Sequence, residues 1–348
     1  MKEISRSVTR KDHGEKIAGT ARYVGDFSQK GVLHGSFVRS PHAHARIVAI
    51  NYPKLPKGYF SVDYRDVPGE NIAHVVLDDS PVYAAEYVEY IGEAVAMIVG
   101  PDARQAANLA AATEVAYEPL PAVLDPDESE TVFFDYHFGR GDVDGAFAAA
   151  DKVYDEHFST GYQEQAYLEP QGMIAQYRNG VLAVHGSLQC PYYILAALQK
   201  ATGLPCEQLQ VAQDYTGGGF GGKEAYPSIL ACQVAVAAYK AAVLAVEEDG
   251  AAGGASGAAA TAVSPAAAAG GDSPAAAGSP AAETPAPPAG DGAAVRVIFG
   301  RREDMEFTSK RHPSRCHYRA AVKDGAVTAL EAYVQFDSGA FTTLSPVV

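Results

Sequence analysis

Residues 216–227 read TGGGFGGKEAYP, five glycines around one phenylalanine with a lysine and a glutamate closing the run. Each glycine gives up about 0.5–1 kcal/mol relative to alanine, because the unfolded chain has more conformations to lose. One tight strand-to-helix turn does not need five of them. The run predicts a loop whose bare peptide N–H groups lie close against a ligand. EQLQVAQDY before it reads as a strand. YPSILACQVAVAAYKAAVLAVEE after it reads as a helix with Pro227 in its first turn. The stretch from Ile229 to Val246 is Ala-rich and interrupted by Gln233 and Lys240, which suits a buried core helix better than a membrane span.

Two nucleotide motifs overlap the loop, and neither fits its context. Gly217, Gly222 and Lys223 match the spacing of a phosphate-binding P-loop. That motif continues with a hydroxyl residue that holds magnesium. Here Glu224 follows, and its carboxylate would repel a triphosphate. Gly217, Gly219 and Gly222 also match a dinucleotide fingerprint. That site needs an acidic residue at the end of a second strand about 20 residues on. The long apolar helix and a low-complexity stretch occupy that region instead.

Along the rest of the chain, residues 1–18 read as a loose polar leader without the apolar core of a signal peptide. Residues 19–124 predict an α+β unit, with strands in GVLHGSFVRS, ARIVAI and EAVAMIVG and a helix through DARQAANLAAATEVAY. The acidic, turn-prone segment 125–141 reads as an interdomain crossing. From 142 a second unit begins. Asp142 caps a short helix, KVYDEHFSTG, GMIAQYR and VLAVHGS read as strands, and PYYILAALQKATGL is a helix stopped by Gly203. Residues 250–294 are nearly all Ala, Gly, Pro and Ser, with two threonines, one valine, three acids and no aromatic, Leu, Ile or Met side chain. Such a stretch cannot bury enough apolar surface to order itself, so it predicts a disordered insertion. VRVIFGRREDMEF resumes an ordered pattern after it. The sequence stops in mid-pattern, as a piece of a longer protein would.

Net charge is −15, which argues against sequence-independent nucleic-acid binding. Cys190, Cys206, Cys232 and Cys316 are scattered, with no spacing for an iron–sulfur cluster or zinc knuckle, which suits a reducing, cytoplasmic compartment. His42 and His44 would share one face of a strand, but no third ligand is near them in sequence, so a metal reading is set aside. The basic residues of GRREDMEFTSKRHPSR read as solvated or ion-paired.

With these motifs in hand, GGGFGGKE resembles the signature of the molybdenum hydroxylases, the xanthine dehydrogenase and aldehyde oxidase family. GTARYVGDF, LHGSFVRSPHAHARI, VEYIGEAVA and YEPLPAV are similar to that family's small α/β hammerhead domain. GDVDGAFAAADKV, GYQEQAYLEPQG and REDMEFTSKRHP are similar to the start of its molybdopterin-binding region. The order of these motifs is more specific than any one of them. The fold implied is α+β: a hammerhead-like domain at 19–124, then the first part of a mixed α+β molybdopterin-binding domain at 142–348.

The resemblance implies a molybdenum–molybdopterin cofactor. Gly218, Gly219, Phe220 and Gly221 would let the backbone approach it. Gln189 and the N–H of Phe220 would face oxygen ligands of the metal, and an amide suits that task because it is neutral and cannot titrate. Glu224 would face a purine substrate such as xanthine or hypoxanthine, though a glutamate there also suits a helix N-terminus. Glu164 and Glu169 would shape the scaffold. The implied reaction is oxidative hydroxylation, with electrons leaving through 2Fe–2S and FAD-binding partner subunits or domains. The family's general base would lie beyond Val348, so no catalytic residue is expected here and the chain alone is expected to be inactive. An aldehyde or another N-heterocycle as substrate stays open, as does a cofactor-free scaffold role.

Overall fold

A computed structural model describes residues 7–252 and 291–347. The strands are β1 (Leu33–Arg39), β2 (Ala45–Asn51), β3 (Phe60–Asp63), β4 (Tyr87–Val88), β5 (Ala94–Gly100), β6 (Glu114–Pro119), β7 (Lys152–Thr160), β8 (Gly172–Arg178), β9 (Val181–Gly186), β10 (Leu209–Gln213), β11 (Val295–Ile298), β12 (Ser314–Lys323) and β13 (Ala326–Phe336). The helices are α1 (His13–Ala18), α2 (Ala103–Ala111), α3 (Val143–Ala148), α4 (Pro191–Thr202), α5 (Tyr226–Ala252) and α6 (Arg301–Phe307). The fold is a hammerhead-like α/β domain followed by part of a mixed α+β domain.

One sheet joins the two. Its strand order is β10-β9-β8-β11-β1-β5-β3, so strands from the first third of the chain pair with strands from the last two thirds. The seam is β11, parallel to β1 at Leu33–Val295 and antiparallel to β8 at Val295–Ala175. Helix α5 packs on this sheet. Leu230, Ala231, Cys232 and Val234 through Ala238 are fully buried, in the same cluster as Met97, Val99, Met173 and Val297. The helix is long and apolar enough to cross a membrane by composition, yet 72% of its most apolar window is buried in the protein. That burial is the core-helix reading of its sequence.

Several local expectations need correction. Helix α2 is started by Asp102, whose carboxylate accepts from the Gln105 N–H at 2.7 Å. It stops at Ala111, and Glu114–Pro119 is a strand. The alanines carry the helical composition too far. Val115 and Tyr117 alternate with exposed residues, and both pack with Ile47 and Ile50 over Ala45 and Val88. The leader is not loose from His13 on. Its helix α1 docks through Glu15, which accepts from the Tyr215 hydroxyl. Helix α5 runs to Ala252, past the expected start of the insertion. On the other side, Asp291 already holds Arg178 and the Asn179 N–H, while Ala294 is 2% exposed. The remainder of the expected insertion lies outside the described residues.

Candidate functional site

The glycine run joins β10 to α5 at the C-terminal end of β10. Phe220 takes the left-handed conformation with φ 52°, and Gly218 sits at φ 104°, where a side chain would be strained. The Phe220 ring points outward and is 78% exposed. A β-carbon at Gly219 would lie 2.3 Å from Gln189 Oε1, so any other residue there would push the Gln189 amide off the loop.

Gln189, between β9 and α4, braces the loop. Its Oε1 accepts from the N–H groups of Gly221 and Lys223, both at 3.2 Å, and its own N–H donates to Lys223 O at 2.8 Å. Those bonds settle which end of the amide faces the loop and leave the Nε2 amino group without a protein partner among the described residues. The N–H groups of Gly218, Gly219 and Phe220 also make no hydrogen bond among the described residues. Three consecutive peptide donors in the loop and one amide donor beside it are therefore without acceptors among the described residues.

A buried charge pair holds the loop from behind. Lys223 is fully buried. Its Nζ donates to Glu169 O at 2.6 Å and to Ser187 Oγ at 2.7 Å, and lies 3.3 Å from Glu169 Oε2. Glu169 Oε2 also accepts from the Gly217 N–H at 2.7 Å and from Ser187 Oγ at 2.6 Å. Burial lowers the Lys223 pKa, and the charge of Glu169 acts against that shift. The P-loop reading fails on this geometry, because the lysine points into the protein and not toward a phosphate. Gln171 completes the support, donating from Nε2 to Gly222 O at 2.9 Å and to the Tyr167 hydroxyl at 2.8 Å. Asp304 of α6 accepts from Tyr167 and from the Gln171 N–H, and its burial raises its pKa.

Glu224 lies one residue past the lysine, half-buried, with no hydrogen bond or ion pair among the described residues. It stands close enough to Cys190 that its charge, after burial, raises that thiol's pKa. Glu164 pairs with Lys310 at 2.5 Å and accepts from the Ala166 N–H at 3.1 Å, a bracing role for the 161–170 segment. Gln189 is thus brought against the loop at Gly219, Gly221 and Lys223, with Glu224 near Cys190, the residue after Gln189.

His42 and His44 lie elsewhere. They sit in the loop before β2 and not on a strand, with the His42 ring edge-on to Tyr117 and His44 Nδ1 at 2.8 Å from Pro121 O. Arg301, Arg302, Lys310 and Arg315 each have a carboxylate partner. Sequence reasoning did not foresee the Lys223–Glu169–Ser187 support. Its signal is faint: Lys223 sits between a glycine and Glu224, Glu169 between Leu168 and Pro170, and nothing in either neighbourhood points to the other.

The donor set fits a cofactor rich in oxygen acceptors. Neutral N–H groups, preoriented by bonds on their far sides, match oxo and phosphate oxygens without placing a competing charge beside them.

Residues 124–248 and 290–348 match the family described as molybdopterin cofactor-binding domain. Residues 18–121 match the aldehyde oxidase and xanthine dehydrogenase a/b hammerhead domain. The chain is 27% identical over 99% of its length to the nicotinate dehydrogenase large molybdopterin subunit of Eubacterium barkeri, covering 73% of that protein. It is 26% identical over 97% of its length to the xanthine dehydrogenase of Dictyostelium discoideum, covering 22% of it. In structure it is similar to the aldehyde oxidoreductase of Desulfovibrio gigas, with TM-score 0.71 and 21% identity over 96% of this chain and 34% of that one. That likeness is one of fold.

Proposed function

The chain belongs to the molybdopterin cofactor-binding family of the molybdenum hydroxylases, and on that premise we propose that it forms part of an enzyme hydroxylating a purine, with Glu224 facing the substrate ring. The observation that carries the reading is the rim itself: three unpaired peptide donors beside a Gln189 amino group, and a half-buried carboxylate with no partner of its own among the described residues. Gly218, Gly219, Phe220 and Gly221 would hold the cofactor by backbone approach, and Gln189 would donate to one of its oxygens. When bound, the molybdopterin supplies the redox metal for oxygen transfer to an electron-poor ring carbon. The chain's own residues bind and orient. Glu224, free of competing cations, accepts from ring N–H groups and fixes which ring edge faces the cofactor. Lys223 and Glu169 keep the loop from relaxing as the substrate enters. Electrons would leave to iron–sulfur and FAD-binding partners. A cytosolic setting belongs to the same proposal, supported by four cysteines that are all free thiols.

A second substrate reading has its own support. The relative that this chain spans most fully of those named above is a nicotinate dehydrogenase subunit. An anionic N-heterocycle would meet repulsion from Glu224, so the two readings oppose each other at that residue. Glu224→Gln in the cofactor-loaded enzyme with its redox partners separates them. On the purine reading kcat/KM for xanthine falls at least about 100-fold, worth about 3 kcal/mol, while benzaldehyde turnover changes little. Equal loss on both substrates, or a gain on nicotinate, refutes the purine assignment.

A further inference from the structure

The three-stranded sheet β13-β12-β7 stands apart from the glycine loop and carries a different chemistry on one face. Antiparallel pairing sets His157 of β7 directly opposite His317 of β12, and Asp155 opposite Arg319. Positions 155 and 157 share a face because strand side chains alternate. The two imidazole rings stack with centroids 4.1 Å apart and planes 6° from parallel. His317 Nε2 lies 2.7 Å from Asp155 Oδ1. One ligand atom from each of the three side chains falls within 4.8 Å of the others.

We propose that Asp155, His157 and His317 form a binding site for a borderline divalent transition metal, zinc being the best match. A tetrahedral ion with bonds of about 2.0–2.1 Å needs donor atoms about 3.3 Å apart. The cluster must contract by only about an ångström or so from its present spread. The rings must also tilt out of their parallel stack so that both in-plane lone pairs meet at one ion, and exposed side chains have room to do so, Asp155 and His317 being 53% and 35% exposed. The backbone already supplies the register. Two imidazole nitrogens and one carboxylate oxygen form a donor set that suits zinc, nickel or copper and discriminates against magnesium and calcium, which take oxygen ligands alone. Arg319 supports the carboxylate from outside, with Nε 3.4 Å from Asp155 Oδ2 while its Nη1 donates to Glu331 at 2.7 Å. Such outer contacts fix ligand orientation at metal sites. The fourth position faces solvent and would be filled by water.

The test is calorimetric titration of zinc chloride into the full 348-residue chain, freed of metal beforehand. The expected result is one saturable equivalent in the micromolar range. His157→Ala and His317→Ala should each weaken it by at least about 10-fold, as should Asp155→Asn. Far-UV circular dichroism checks that the variants fold, and His157→Gln and His317→Gln serve if an alanine variant does not. Cobalt in place of zinc should give a tetrahedral visible spectrum without the near-ultraviolet thiolate charge-transfer band. Three results would each overturn the proposal: no saturable site, affinity unchanged in the histidine variants, or a thiolate band showing that the free cysteines hold the metal.

Discussion

Replacing Lys223 with methionine tests whether the glycine loop is held by the charge pair behind it. Methionine keeps most of the stem volume over Tyr167 but removes an ammonium that makes contacts at 2.6, 2.7 and 3.3 Å. The Glu169 side chain, only 15% exposed, is then left without its cation. Breaking a buried pair from one side costs about 3–5 kcal/mol, more than the net worth of the pair, because one charge stays desolvated. Lys223→Met alone should therefore lose about 3–5 kcal/mol in urea unfolding followed by circular dichroism. Adding Glu169→Gln removes the stranded charge, and the amide oxygen can still accept from Gly217 and Ser187. The double variant should recover most of the loss, ending about 1–2 kcal/mol below the parent. A cost under about 1 kcal/mol for the single variant, or a double variant equal to the sum of both singles, would refute the pair as the loop's support.

Two other expectations follow from buried groups. Glu93 is 3% exposed, and burial pushes its pKa up to about 7. The folded state thus holds its proton more tightly than the unfolded chain does. The stabilisation is complete below about pH 4.5 and is lost as pH rises through 7, a change of about 3 kcal/mol. Glu93→Gln should flatten that profile and be the more stable protein at pH 8.5, with little difference at pH 4.5. A parent whose denaturation midpoint is level between pH 5 and 8.5 would contradict this. Gln189→Glu should melt within a few degrees of the parent yet lose molybdenum from the assembled enzyme, measured by elemental analysis. Full metal retention would remove Gln189 from the cofactor's surroundings.

The sequence made some of this legible because local chemistry decided it. Five glycines before an apolar helix, Asp142 at a helix start and Gly203 at a helix end act within a few residues of themselves, and the structure places the two helix ends as read. Glu114–Pro119 was hidden because its alternation is short and an alanine run precedes it. The single sheet across both regions was hidden for a stronger reason. Strand β11 has four residues, and its partners Leu33 and Ala175 lie far away in sequence. No local pattern encodes such a pairing. Burial of Lys223 is of the same kind. A lysine next to glycines reads as exposed until Glu169 and Ser187 are brought to it from two other segments.

On the proposed reading Gln189 is where fold and cofactor would meet, and its chemistry says why an amide would be needed there. Oxygen and nitrogen in the side chain face opposite ways by geometry. Two loop N–H groups at 3.2 Å claim the oxygen, so the amino end must turn outward as a donor. A glutamate could accept the same two bonds, which is why the fold should tolerate it. Its second oxygen would then point outward as an acceptor carrying charge, against a cofactor whose own oxygens are acceptors. The polarity of the rim would reverse with almost no change of shape. Asparagine would keep the polarity but fall one methylene short of the loop. Only glutamine serves both sides, which ties the loop's conformation to the direction of the donor it presents.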